Sequence, residues 1–200
     1  MTFTHTSRKL IHEHVVADCA NRVVVPNDYT KIARQNSVVS LVKQPNGKYP
    51  TTGEHYVTFP VWNPGARTAW DFLAFEYKHG RDSQNQVVTE VLGRLHDGTT
   101  HIWWDGSGFA PATDEAHWND LGDLSRHLDE WDLDSPLGVV VRLKTSNPYV
   151  TPTFKRVAVL FTMDLADFVR DWIFDTVVAS LSDNLRPLSD VQLDGVGANV

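Results

Sequence analysis

Short apolar and β-branched segments separated by turn-forming residues are the feature that most constrains the fold of this chain. They recur at intervals of roughly 10–20 residues, with glycine, proline, asparagine and aspartate between them. This spacing favours antiparallel strands over an alternation of strands and helices. We therefore predict a mainly β protein, with an antiparallel β-sandwich or jelly-roll-like domain followed by a C-terminal amphipathic helix.

Two hairpin signals and one central strand stand out among the predicted strands. Asn46-Gly47 and Asp97-Gly98 are dipeptides that favour tight hairpin turns. Residues 70–77 are largely apolar on both faces, which is typical of a central strand covered on both sides. The predicted strands comprise residues 21–26, 37–42, 55–61, 70–77, 87–95, 99–104, 139–143 and 154–163.

A helical periodicity appears twice. In residues 121–131, leucines and a tryptophan recur at spacings of three and four, which predicts a short helix. A longer amphipathic pattern begins after Asp164 and stops before Pro187, which cannot continue a helix. The bulky stripe of this longer helix packs either on its own sandwich or between subunits. The residues assigned to such an interface are Phe168, Trp172, Ile173 and Val177.

These patterns divide the chain into four parts. Residues 1–50 form an N-terminal segment with short strands, expected to act as an arm, and residues 51–163 form the β-sandwich domain. The amphipathic helix occupies residues 164–187, and residues 188–200 are a tail. No run of about 18 apolar residues occurs, so no membrane-spanning helix is predicted.

The charge of the chain is unevenly distributed. Residues 1–100 carry 11 basic and 9 acidic side chains, whereas residues 101–200 carry 7 basic and 16 acidic ones. Eight of these acids lie in residues 114–134. Since an acidic surface repels phosphate backbones, we expect no nucleic-acid partner. The acidic run fits a solvated face, and the alternatives are a cation site or a docking surface for a basic partner.

Histidines provide two candidate cation sites, neither with a specific spacing. His12 and His14 would lie on the same side of an extended strand, and a third ligand would have to come from elsewhere. His96 and His101 flank the Asp97-Gly98 turn and could face each other across the hairpin. The ordinary interpretation of both pairs is polar surface cover, and we predict no metal and no cofactor.

The nucleophiles of this chain lack the surroundings that catalysis needs. Ser107 sits in the turn 105–108 without a nucleophile-elbow motif, and that turn lacks the alternating acids of a calcium loop. Cys19 follows Asp18, which favours a raised thiol pKa and therefore an unreactive thiol. We predict that the protein is not an enzyme; the enzymatic alternative is a jelly-roll metal hydrolase that uses His96, His101 and an aspartate.

Three tryptophans are candidate sugar contacts. Strand alternation sends Trp103 and Trp104 to opposite faces, so one of them points outward beside an aspartate-containing turn. Trp118 follows in the acidic segment. An outward tryptophan beside polar groups could stack on a sugar ring, whereas the structural alternative is packing under the acidic loop or against a neighbouring subunit.

Residues 137–161 resemble a strand pair of tail-associated structural proteins of bacteriophages, in which a hairpin closes a β-sandwich. The turn 104–108 followed by the leucine-rich residues 121–131 is similar to the segment that precedes this pair. The predicted helix 164–187, with its Arg-Pro exit, resembles docking segments of baseplate and tail components, so the resemblance covers residues 87–187. The residues that carry the strand-pair pattern are Arg142, Leu143, Thr145, Thr151 and Pro152.

The resemblance implies a structural component of a virion, in the tail, neck or baseplate. Its partners would be other virion structural proteins and further copies of itself, with no membrane partner. The N-terminal residues lack the layout of a secretory signal, which agrees with assembly in the host cytoplasm. Related sandwiches occur in carbohydrate-binding modules, so the alternative is such a module in a receptor-binding apparatus.

Overall fold

The computed structural model describes three stretches of the chain: residues 9–20, 24–63 and 68–164. These stretches are mainly β, with antiparallel sheets in a sandwich-like arrangement, as the sequence predicts. The predicted C-terminal helix and the tail 188–200 lie outside the described residues. So do the interface residues assigned to that helix, Phe168, Trp172, Ile173 and Val177.

Twelve strands lie in the described part of the chain, and the helical segments between β10 and β11 are short. None of the helices described there is long and apolar enough to cross a membrane. The strands are β1 (Lys9–Asp18), β2 (Val25–Pro26), β3 (Ile32–Gln35), β4 (Val38–Leu41), β5 (Tyr56–Thr58), β6 (Ala69–Lys78), β7 (Thr89–His96), β8 (His101–Trp104), β9 (Phe109–Pro111), β10 (Asn119–Asp120), β11 (Gly138–Thr145) and β12 (Thr153–Asp164), and the helical segments are α1 (Leu121–Arg126) and a 3-10 helix (Leu128–Glu130).

The strands form two sheets, here named sheet A and sheet B. In sheet A, β12 pairs with β6 along one side and with β4 and β1 along the other, and β3 lies beyond β4. Sheet B runs in the order β2, β5, β11, β7, after which both β8 and β10 pair with β7, and β9 pairs with β8. Strands from before and after residue 50 therefore share both sheets.

Compact packing divides the chain into two units. One unit is Ile11–Thr162, and it contains the body of both sheets. The other unit combines Met1–Leu10 with Met163–Val200, and almost all of it falls outside the described residues.

The core of the larger unit lies between the inner faces of the two sheets. Phe154 of β12 meets Phe59, which follows β5, with ring centroids 5.6 Å apart. In β11 the alternate residues Val139, Val141 and Leu143 are fully buried. Burial of this kind contributes about 1.5–3 kcal/mol per large side chain to folding. The antiparallel alternation of the sequence thus becomes a continuous apolar layer.

The predicted helix at residues 121–131 is confirmed as α1 and the 3-10 helix. Its spaced apolar residues are all buried, because α1 packs between β6 and β7. Gly93 permits this approach, since a Cβ at that position would lie 2.7 Å from the side chains of Leu121 and Leu124. Asp120 caps the helix by accepting a hydrogen bond from the Gly122 N–H.

Two of the predictions about hairpins and strand order are wrong. Asn46-Gly47 does form a turn, with a φ of +76° at Gly47, but the flanking β4 and β5 belong to different sheets. Likewise β11 lies in sheet B and β12 in sheet A, so residues 137–161 cross between sheets and form no hairpin. Hydrogen bonds hold this crossover: the Thr145 hydroxyl donates to the Asn147 carbonyl, and the Thr151 hydroxyl accepts from the Leu41 N–H.

The strand predicted to be central is an edge strand in the described structure. β6 pairs with β12 alone, and Phe72 is 49% exposed. Its apolar residues therefore form exposed surface as well as core. By contrast, the Asp97-Gly98 hairpin is confirmed by the pairing of Leu95 with Ile102. β1 and β3 have weak alternation in the sequence and were not among the predicted strands.

Candidate functional site

The two adjacent tryptophans of β8 lie on opposite faces of the strand, and each stacks on a histidine. Trp103 stacks on His117, with centroids 4.2 Å apart and planes within 5°. Trp104 stacks on His127 at 4.0 Å and meets Phe109 edge-on at 5.5 Å. Both tryptophans are half-buried, so each offers less free ring surface than an exposed sugar platform.

Trp118 is buried, and its ring is covered by a cation. The guanidinium of Arg94 lies 3.9 Å from the ring centroid, and that of Arg142 lies 5.5 Å away. Its indole Nε1–H donates to Glu54 Oε1 at 2.8 Å. Arginine over a tryptophan face is a favourable cation–π contact. Trp118 therefore has no exposed face for a sugar ring, and its contacts are those of a structural anchor.

Glu54, Arg94, Trp118 and Arg142 together form what we name the arginine cluster, on the outer face of sheet B. Arg94 Nε donates to the His117 carbonyl, and its Nη2 donates to the Asp114 carbonyl at 2.8 Å. Arg142 Nη1 lies 3.5 Å from Glu54 Oε1 and donates to the Glu115 carbonyl at 3.3 Å.

The arginine cluster holds the loop of residues 112–118, here named the acidic loop, against sheet B. Its two guanidiniums bind the backbone carbonyls of residues 114–117, while Trp118 packs beneath them. Burial lowers the pKa of Arg94, and the nearby Glu54 carboxylate opposes that effect. Arginine remains charged throughout the physiological range, so the pair holds the loop electrostatically as well. Arg142 Nε is buried without a hydrogen-bond partner among the described residues.

His96 and His101 face each other across the β7–β8 hairpin, as predicted, with ring centroids 6.1 Å apart. His96 is buried, and its Nε2–H donates to the Phe59 carbonyl at 2.7 Å. A Cβ at Gly138 would overlap the His96 ring, so this glycine makes the room that the ring occupies. Burial lowers the pKa of both histidines.

The other candidate metal and nucleophile residues have structural contacts. His14 stacks on Trp62 at 3.9 Å, and the side chain of His12 is not described. Burial raises the pKa of the Cys19 thiol to about 12, and Asp18 adds to that shift, in the predicted direction. Among the described residues, no three histidine, cysteine or acidic side chains are grouped as a metal site.

The turn 105–108 forms around the carboxylate of Asp105. That group accepts hydrogen bonds from the Ser107 N–H at 2.8 Å, the Ser107 hydroxyl at 2.8 Å and the Gly108 N–H at 3.0 Å. These bonds, led by that of the Ser107 N–H, lower the pKa of Asp105. Gly106 takes a φ of +99°, which glycine adopts without strain. The predicted turn is therefore confirmed, with Ser107 bound inside it.

One edge of β6 has no paired strand in the described residues, since β6 pairs with β12 on its other side. At Leu73 the edge is closed by a side chain, because Ser125 Oγ accepts from the Leu73 N–H at 3.1 Å and donates to its carbonyl at 2.8 Å. By strand alternation the backbone groups of Phe75 point to the same side, and no strand in the described part of the chain pairs there.

Aromatic side chains and a groove accompany this edge. Phe72 and Tyr77 are 49% and 38% exposed. A groove of about 360 Å³ lies along the strand and is lined by residues of β6 and α1. We name this region, Phe72 to Tyr77 with the adjoining face of α1, the β6 edge surface.

Sequence reasoning missed most of these positions for a common reason. Glu54 and Arg94 carry no motif, and their role depends on which strands become neighbours. One signal was present: Arg94 lies between apolar residues of β7, next to Leu95 and two residues after Leu92, and a cation needs partners when it is buried. The β6 edge surface was visible as an apolar segment but not as an edge.

Comparisons of this chain with known protein families, curated proteins and solved structures find no match. The resemblance to bacteriophage tail proteins therefore rests on the sequence pattern of residues 87–187 alone, and the hairpin that it implies for residues 137–161 is not formed. It stays a prediction about function.

Proposed function

We propose that this protein is a structural component of a bacteriophage virion, in the tail, neck or baseplate. It assembles through protein–protein contacts with other virion proteins and with copies of itself. The observation that supports this proposal most is the β6 edge surface, since open strand edges and exposed aromatic side chains are favoured in protein–protein contacts. The resemblance of residues 87–187 to tail proteins is the reason for proposing that this assembly is a phage virion.

The β6 edge surface offers two kinds of contact to a neighbouring chain. The backbone of Phe75 is placed to hydrogen bond with an added strand. The ring of Phe72 and the groove beside α1 provide apolar area to bury. Ser125 limits the open length by closing the edge at Leu73. A stable assembly of this type buries more than about 1,000 Å² in total, so the contact would extend beyond this surface.

The experiment is to purify virions from the cells that encode this chain and to measure its copy number by mass spectrometry. Complementation with Phe72→Asp should then reduce incorporation at least about tenfold, because a carboxylate would be buried in the contact. Val25→Asp is the matched control, since Val25 is also 48% exposed and lies in β2 of sheet B, outside β6. Virions that lack the chain would overturn the assignment, and normal incorporation of Phe72→Asp would overturn the role of the β6 edge surface.

A further inference from the structure

A groove of about 690 Å³ lies at the end of β6, where the strand passes the crossover between β11 and β12. Gly80 forms its floor, because a Cβ there would overlap the Val150 side chain and lie 3.0 Å from the Thr151 carbonyl. The Gly80 N–H donates to Thr89 Oγ1 at 2.8 Å, which fixes the backbone. We name this feature the basic groove; its lining residues are Tyr77, Lys78, His79, Gly80, Arg81, Thr151 and Thr153.

Two cations of the basic groove have no carboxylate partner in the described structure. Lys78 and Arg81 are exposed, and neither forms an ion pair with another described residue. Arg81 Nη1 donates to the Asn85 carbonyl at 2.7 Å, which orients the guanidinium but does not neutralise it. The adjacent acid, Asp82, directs its Oδ1 to the N–H groups of residues 84 and 86.

The neighbouring cations of sheet A, in contrast, are paired with a carboxylate. Lys155 and Arg156 both pair with Glu76, at 2.7 and 3.0 Å. Lys155 holds the pKa of the Glu76 carboxyl below its usual range. The single carboxylate of this part of β6 is thus already shared between two cations, and the positive charge of Lys78 and Arg81 remains available.

The wall of the basic groove also contains an unused polar atom. His79 Nδ1 is buried and has no hydrogen-bond partner among the described residues. Its ring meets Tyr77 edge-on, with centroids 5.2 Å apart and planes at 90°. Tyr77 also lines the groove of the β6 edge surface, so the two features adjoin at this residue.

We infer that the basic groove binds the carboxylate side chains of an acidic, extended segment of a partner protein. The segment would add along the open edge of β6 and place its acids beside Lys78 and Arg81. A peptide fits better than a nucleic acid, because the groove adjoins an unpaired strand edge, to which an extended peptide can add through backbone hydrogen bonds. This inference rests on the proposed function, since it names the partner chemistry for the same surface.

The test is fluorescence anisotropy of the full-length chain with a labelled peptide of four Glu-Val repeats. We expect saturable binding that weakens as salt is raised. The double variant Lys78→Glu/Arg81→Glu should bind at least about tenfold more weakly, in line with the loss of two charge contacts. Lys43→Glu/Lys144→Glu is the matched control, because it makes the same change in formal charge at exposed positions that line neither groove. Lys78→Gln/Arg81→Gln repeats the test with less risk to folding.

The inference would be overturned if the Glu-Val peptide did not bind or if the double variant and the control bound it equally well. Tighter binding of an eight-nucleotide single-stranded DNA or of inorganic phosphate would overturn it too. A Lys-Val peptide that binds equally well would also overturn it, because the contact would then be independent of charge. Virions that incorporate the chain while the peptide fails to bind would leave the proposed function standing and remove only this inference. Peptide binding by a chain that is absent from virions would remove the proposed function and leave the peptide-binding inference standing.

Discussion

The arginine cluster and the basic groove both combine cations with aromatic rings, and they differ in what covers them. In the arginine cluster, Arg94 is 5% exposed, and its guanidinium is bound by carbonyls of the acidic loop. In the basic groove, Lys78 and Arg81 are exposed, and no carboxylate of the described residues pairs with them. The same residue types thus stabilise the fold at one place and remain free for a partner at the other.

This difference shows that composition does not separate a structural cluster from a binding surface. Arg94 lies on one face of sheet B. The loop that crosses this face brings the Trp118 ring and the His117 carbonyl against its guanidinium. Tyr77 lies near the end of β6, and the residues that follow it, up to Arg81, line the basic groove. Buried cations require such partners, whereas exposed ones are solvated by water until a ligand replaces it.

Trp118→Ala is the change expected to have the largest effect on stability. It removes a buried ring and the contact with Arg94, and it should lower the free energy of unfolding by about 3–5 kcal/mol. Urea denaturation followed by circular dichroism measures this loss. Trp118→Phe keeps most of the packing and removes the hydrogen bond to Glu54, so it should cost less. A loss below about 1 kcal/mol for Trp118→Ala would contradict the role of the ring as an anchor.

Arg94→Met should have the next largest effect. The variant keeps the length of the side chain but leaves the carbonyls of Asp114 and His117 without their donor, so we expect a loss of about 1–3 kcal/mol. Arg81→Met is the matched change in the basic groove and should alter stability by less than about 0.5 kcal/mol. Equal losses at the two positions, measured by the same denaturation, would remove the distinction between the two surfaces.

A fall in pH should destabilise the face of sheet B that carries the arginine cluster. Burial lowers the pKa of His55, His96 and His101 from the ordinary value of 6.5, so the unfolded chain takes up these protons first. The stability that the neutral rings contribute is therefore complete above about pH 6.5 and is lost as the pH falls through their lower folded values. Denaturation at pH 8, 6.5 and 5 measures how steeply the free energy of unfolding changes with pH.

His101→Gln provides the control for this pH effect. Its pKa is lowered mainly by burial, and the neighbouring His96 and Arg94 add to that shift. Removing one of the three titrations should reduce the loss of stability between pH 6.5 and pH 5. A slope equal to that of the wild type would show that other groups cause the acid sensitivity.

Local patterns in the sequence predicted the elements whose interactions are local. The spacing of Leu121, Leu124 and Leu128 predicted the helix, because helix packing depends on which face is apolar. The Asp97-Gly98 turn likewise predicted the β7–β8 hairpin. The hairpin predicted at Asn46-Gly47 was wrong, since β4 pairs with the preceding β3 and with β12, more than a hundred residues away, and not with β5.

Sheet order was the part that the sequence could not provide. Residues 70–77 are apolar on both faces, a pattern shared by central strands and by edge strands that meet a partner. Which of the two applies depends on long-range pairing, here that of β6 with β12. The arginine cluster was hidden for the same reason, because Glu54, Arg94 and Arg142 come from three separate parts of the chain.

Tyr77→Ala should have a small effect on stability and a clear effect on association. The ring is 38% exposed, and its contact with His79 is edge-on, so the free energy of unfolding should change by less than about 1 kcal/mol. The same ring joins the β6 edge surface to the basic groove, so binding of the Glu-Val peptide should weaken several-fold. Tyr29→Ala is the aromatic control, since Tyr29 is 68% exposed and lies outside both grooves. If Tyr77→Ala destabilised the chain as much as Trp118→Ala while peptide binding stayed unchanged, Tyr77 would belong with the anchors of the fold, and the contrast between the two surfaces would fail.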